Sequence, residues 1–314
     1  MSQKLSRSLL VLLLLAGVVA VIAAPTRLTL KFNKGDAFEQ STVIHAKGTS
    51  GPEGTQMPQN MDMSMRFDFE VTDVQSDGSV AMKSVLKEMK VGQMDVGKMF
   101  GLKDKAITLM LNSKGRISSV EGLENLGPAG GMPDNPLSSV NQVLFPALPD
   151  HPVEVGATWR DEGDMEYPGS SAKGKKVDEY VFRDIKTLGD SPIAVIEIKG
   201  HTTIKNATMS IPSPVASNVK INYRINSITS EKEGEFLLDI GKGRFLGAKI
   251  RIKTDQDLSF ATGVQGKKFN STVKTHMNLD METNCTYGDE KAPDLSGLYT
   301  TPQTQKEETG QGGS

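Results

Sequence analysis

Residues 61–74 read MDMSMRFDFEVTDV, and the residue type alternates almost without a break. Met61, Met63, Met65, Phe67, Phe69 and Val71 fall on one side, and Asp62, Ser64, Arg66, Asp68 and Glu70 on the other. A period of two sends successive side chains to opposite faces of extended backbone, so this run is a strand with one face buried. Residues 26–32, 177–188, 193–209, 219–229, 234–240, 245–254 and 269–287 alternate or are rich in β-branched residues, as strands are. Ser76-Asp77-Gly78 supplies a hairpin turn. Residues 48–60, with their Gly, Pro and Gln, read as a long hairpin loop, and residues 94–102 as a short helix or an irregular cover.

The strand pattern is stated twice. Lys34-Gly35-Asp36-Ala37-Phe38 opens the first stretch and Val155-Gly156-Ala157-Thr158-Trp159 the second. Each stretch carries a Lys-Gly-Arg turn, at Lys114-Gly115-Arg116 and Lys242-Gly243-Arg244. The expected fold is all-β: two related lobes of long antiparallel strands, as a bent sheet or partial barrel, with one short covering helix. That helix is placed after Asn135 and Pro136, a cap and a first-turn proline, with Leu137, Val140, Val143 and Leu144 at helical spacing and Pro146 ending it. The expected organisation is a signal peptide at 1–23, a first β lobe at 24–126, a linker and helix at 127–150, a second β lobe at 151–287 and a disordered tail at 288–314.

The signal reading rests on Lys4 and Arg7 before an apolar run from residue 9 to residue 24, with cleavage after Ala23. That run of about 16 residues is shorter than the roughly 20 that a spanning helix needs, and no later stretch is apolar enough to span a membrane. The chain is expected in the periplasm or outside the cell. Removing Lys4 and Arg7 takes the basic count from 36 to 34 against 38 acidic residues, a net charge of −4. A DNA or RNA partner is excluded by that balance, because phosphate binding needs a basic stripe. Cys285 is the single cysteine, so no internal disulfide can form, and a buried inert thiol is expected.

Several short patterns resemble catalytic or metal motifs and fail in context. Residues 169–176 read GSSAKGKK, but Lys176 stands where a P-loop needs Ser or Thr, and strand-like sequence follows where a helix should. Ser84/Lys87, Ser170/Lys173 and Ser217/Lys220 have Ser-x-x-Lys spacing, which aligns side chains on a helix and opposes them on a strand. His276 and Asp280 share a strand face, yet two ligands fall short of a zinc site. Asp161, Glu162, Asp164 and Glu166 lack the register of a calcium loop and read as a solvated turn. No enzyme activity, metal or cofactor is implied. Asn206, Asn270 and Asn284 begin glycosylation acceptor triplets, relevant only in a eukaryotic source.

Methionine is the unusual component, with 15 in the chain and a concentration in the first half. Thioethers bind Cu(I), but Met61, Met63 and Met65 continue on one face into Phe67 and Phe69, as a core stripe does. Flexible thioethers also line adaptable apolar surfaces. Met61, Met63, Met65, Phe67 and Phe69 are therefore the candidate lining of a site for a lipid-like or amphipathic ligand. The other expectation is a structural or interaction module that meets another envelope protein through sheet edges or faces.

Residues 28–36 (LTLKFNKGD), the strand 67–74 running into Asp77-Gly78-Ser79, and residues 152–159 (PVEVGATW) resemble an uncharacterised family of bacterial secreted or envelope proteins, a domain of unknown function. The resemblance covers about residues 26–285 and brings no catalytic residues. It implies a bacterial source and an extracytoplasmic location. The architecture alone is also similar to the half-barrel lipoprotein carriers of the periplasm, which fixes no function.

Overall fold

Alternation carried through almost the whole chain leaves each strand one apolar face to cover, and a single sheet that curls on itself covers them all. The structure is a computed structural model describing residues 25–99, 101–112, 114–122, 145–166, 173–212, 220–264 and 267–300. The strands are β1 (Ala37–Pro52), β2 (Met57–Val74), β3 (Val80–Val91), β4 (Met94–Asp95), β5 (Ala106–Leu111), β6 (Ile117–Glu121), β7 (Thr158–Glu166), β8 (Lys173–Leu188), β9 (Ser191–Pro212), β10 (Lys220–Asp239), β11 (Arg244–Val264) and β12 (Lys267–Tyr287). Among the described residues a short helix, α1 (Val96–Met99), is held at its start by Asp95 Oδ1, which accepts from the Lys98 N–H at 2.9 Å.

All strands join one sheet in the order β6-β5-β3-β2-β1-β12-β11-β10-β9-β8-β7, with β4 beside β3. The two expected lobes are its two halves, zipped together by fifteen antiparallel residue pairs between β1 and β12, from Phe38/Tyr287 to Pro52/Val273. The strands outrun their expected bounds. Residues 48–52 and 57–60 belong to β1 and β2, so the expected long loop shrinks to a tight turn around residues 53–56. The ladder with β12 holds this Gly- and Pro-containing stretch extended despite its composition. The separate strands expected at 219–229 and 234–240 are one strand, β10 (Lys220–Asp239), with residue 219 outside the described residues. The blurred alternation after Ser84 is a bulge: Phe67 faces Leu86 and Arg66 faces Glu88, leaving Lys87 as the extra residue.

The sheet is not closed by hydrogen bonds. Its edges, β6 and β7, are bridged by the Arg116–Asp161 ion pair. One end of the trough is plugged by two extended segments. Residues 26–32 contribute Leu28, 1% exposed, with Leu30 and Phe32, but form only an isolated bridge, Thr26 to Val153, and not the expected sheet strand. Residues 145–148 cross the same end. The Phe145 ring meets Phe32, Phe38 and Phe245, and the Ala147 carbonyl accepts the Trp159 indole N–H at 2.7 Å. The expected helix over residues 136–145 and the signal segment lie outside the described residues, apart from Phe145. Around this plug one cluster unites Phe38, Met65, Phe67 and Phe69 of one half with Phe182, Ile196, Phe236 and Phe245 of the other.

Bending needs room on the concave side. Gly234 provides it on β10, where a Cβ would lie 2.1 Å from the Lys249 carbonyl oxygen of β11. The convex face is charged. Arg251 pairs with Glu233 and Asp280, Lys249 with Glu282, and Arg66 with Glu39. Part of that face is covered: Leu295, Leu298 and Tyr299 lie on Ile193, Val195, Leu237 and Leu246. The expected disordered tail is thus corrected over residues 288–300, because these three apolar side chains find an apolar patch between charged strands. Residues 301–314 lie outside the described residues.

Cys285 is 1% exposed, and burial pushes its thiol well above the ordinary range. A thiol reagent at about pH 8 is expected to leave the native protein unlabelled and to label it fully in denaturant, read by mass shift.

Candidate functional site

Residues paired across neighbouring strands share a face, so the registers trace the inner surface of the trough row by row. The row through the core's upper limit runs Val91, Met63, Ile44, Met281, Ile250, Gly234, Ile198, Tyr180 and Trp159 from β3 to β7. The next row outward runs Met61, Ala46, Leu279, Ile252, Lys232, Gly200, Asp178 and Asp161. It is apolar from β2 to β11 and ionic from β10 to β7.

The five expected lining residues divide between these levels. Met65, Phe67 and Phe69 are 3%, 3% and 2% exposed and belong to the closed core, where packing against Phe38, Leu86 and Met89 shuts out a ligand. They are withdrawn as lining residues. Met61 and Met63 are half-buried on the inner face, and Met281, Leu279 and Ile252, also half-buried, continue their rows across β12 and β11. The alternation of 269–287 placed Met281 and Leu279 on one face; which strand they would stand beside was set by the β1–β12 pairing.

The ionic half of the outer row was not anticipated. Asp178 is wholly buried; its Oδ2 accepts from the Lys232 ammonium at 3.0 Å and forms an ion pair with the Lys176 ammonium, also at 3.0 Å. Lys176 also lies 3.4 Å from Asp161 Oδ2, while Arg116 reaches Asp161 Oδ1 from the far edge of the sheet. The row that begins on β2 therefore ends against the start of β6, the stagger expected of a coiled sheet. Burial lowers the proton affinity of Lys232, and the Asp178 carboxylate beside it partly restores it. Gly200 stands between the two strands because a Cβ there would lie 2.3 Å from Asp178 Oδ1 and 2.4 Å from Lys232 Cε. Asp178 Oδ1 has no hydrogen-bond partner among the described residues. The sequence signal was available: Lys176 and Asp178 sit at strand spacing on one face of β8, while Asp161, expected in a solvated turn, is instead buried within β7, where its pairing with Asp178 turns it inward.

The remaining motifs are ordinary surface or structural features. A groove of about 370 Å³ lies on the convex face among Glu179, Lys199, His201, Glu231, Glu233 and Arg251, whose charges alternate as on a solvated sheet. His276 pairs with Asp255 at 2.5 Å and His45 with Asp62 at 2.7 Å, each on exposed side chains. Among the described residues no three His, Cys, Asp or Glu side chains converge as metal ligands would. Ser84 is buried inward on β3 while Lys87 reaches outward to Asp104 at 3.1 Å. Of residues 169–176, positions 169–172 lie outside the described residues and 173–176 are part of β8.

No family model and no curated protein matches this chain. Solved structures that align with this chain include the outer membrane protein AlkL in lipid bilayers, at 8% identity over 84% of this chain and 95% of that one, with a TM-score of 0.24. An outer membrane channel from Pseudomonas putida F1 aligns at 6% identity over 82% and 98%, TM-score 0.20. DynF, from the dynemicin biosynthesis pathway of Micromonospora chersina, aligns at 9% over 82% and 89%, TM-score 0.19. Likeness this low supports no inference about the present chain. Among the described residues no helix is long and apolar enough to cross a membrane.

Proposed function

We propose that this is an exported, non-enzymatic protein of the bacterial envelope that holds an apolar or amphipathic ligand in its trough, against Met61, Met63, Ile252, Leu279 and Met281. The observation that carries this reading is the half-buried apolar surface spanning β2 to β11 just above the closed core. Flexible methionines suit such a surface because they refill irregular space around different chains. The charged convex face, with Arg251, Glu233, Lys249, Glu282 and Asp280 in ion pairs, supports a protein surrounded by water. A membrane-embedded barrel would instead turn an apolar band outward.

Organic extraction of the purified chain followed by mass spectrometry is expected to release an amphiphile. The substitution Met61→Glu is expected to weaken its retention strongly while the circular-dichroism melt changes little, since this half-buried side chain lies outside the core cluster. An extract free of amphiphile, together with no binding of added dodecyl compounds, would sink the proposal. The structural-module reading draws on the sheet edge: among the described residues β2 runs past its last partner in β3 at Met63. Such an overhanging edge can accept another strand. A chain that runs as a monomer in crosslinked envelope fractions would count against it.

A further inference from the structure

We propose that the occupant of the trough is an amphiphile whose head group carries one negative charge and, beside it, a hydrogen-bond donor, and that the Asp178–Lys176–Lys232 cluster reads that head. This deepens the ligand-holding reading above and rests on it. The outer row changes from apolar to ionic between Ile252 and Lys232, which are direct cross-strand partners. Adjacent strands are about 4.8 Å apart, so an acyl chain lying on Leu279 and Ile252 ends one strand spacing from Lys232 and three from Asp178.

Two features of the cluster define the head. The cluster contains three cations, Arg116, Lys176 and Lys232, against two carboxylates, Asp161 and Asp178, leaving a surplus of one positive charge. The Lys176 side chain is 24% exposed and that of Arg116 43%, so both can turn toward an added anion. An anionic group supplies the missing charge and accepts from Lys176. The second feature is independent of the first. Asp178 Oδ1 is fully buried on the same inner face, beside Gly200, with no donor among the described residues. A buried carboxylate oxygen without a donor is costly, so once Lys176 turns from Asp178 toward the anion, a hydroxyl or amide N–H beside that anion can reach Oδ1. Acylated amino acids and phosphoglycerol lipids share this head-group chemistry.

Isothermal titration of the full chain with N-dodecanoylglycine, its methyl ester and dodecyltrimethylammonium separates the possibilities. The acid and the ester share chain and amide donor and differ in charge and by one methyl group. The acid is expected to bind about ten-fold or more tightly than the ester, the worth of one charge-assisted hydrogen bond, and the ammonium compound to bind weakest. Lys176→Met is expected to bring the acid down to the affinity of the ester and leave the ester unchanged. Phosphatidylglycerol against phosphatidylcholine in the same format distinguishes a phospholipid source from an acyl amino acid. Equal binding of acid and ester overturns the head-group assignment while the apolar trough stands, and the wild-type comparison reads this without any variant. Binding of none of the three overturns the trough and this proposal together.

Discussion

Asp178→Ala is expected to lower the unfolding free energy by about 3–5 kcal/mol, the usual cost of removing one partner from a buried ion pair. Asp178 is 0% exposed and holds both Lys176 and Lys232 at 3.0 Å. Without it, Lys232, 14% exposed on its side chain, faces the inner wall with its desolvation uncompensated. The penalty belongs to the orphaned charge and not to the lost attraction. The double variant Asp178→Leu with Lys232→Met is accordingly expected to recover much of the loss, because an apolar pair of similar volume needs no water. Urea unfolding of wild type, single and double variants measures both effects. A single variant as stable as wild type would mean that the orphaned lysines turn into water at the mouth of the cluster at little cost.

The second large effect is expected at the other surface. Leu295→Ala and Leu298→Ala should each destabilise by about 2–5 kcal/mol, as large-to-small changes at buried positions do. Leu295 is 3% and Leu298 6% exposed, lying on Ile193, Val195, Leu237 and Leu246. The segment is fixed in place by its backbone: the Leu298 carbonyl accepts from the Lys186 ammonium at 2.6 Å, and the Thr300 N–H donates to Glu235 Oε2 at 2.8 Å. Thermal melts of each variant measure the change. Unaltered melting would show that the strap adds nothing to the fold and that the apolar patch tolerates water.

The fold was legible where one physical signal dominated. Strict alternation from Met61 to Val71 fixed β2, its inward face and its register parity, and the same held for β12. Alternation does not say how far up a strand the core extends. Met61 and Phe69 carry the same signal, yet one is half-buried and the other lies in closed packing against Phe38, at 4.8 Å between ring centroids. That depends on where the plug formed by residues 26–32 and 145–148 sits, which no local pattern encodes. The strap was missed for a related reason: Leu295, Leu298 and Tyr299 stand among Gly, Ser and Asp, and their partners are distant in sequence. The ionic cluster was missed because charged residues are expected outward, and only the pairing of Asp178 with Gly200 and Asp161 brought them inward together.

The pairing of β1 with β12 has a consequence for how the molecule comes into being. Thr42 and Thr283, whose hydroxyls meet at 3.0 Å in the buried seam, are 241 residues apart. A chain leaving the ribosome presents its opening strand long before the closing one exists, so that strand waits with one flank unclaimed. Contacts this remote in sequence make assembly slow. They also make it depend on the nascent polypeptide being finished, because the seam cannot form before β12 has been made.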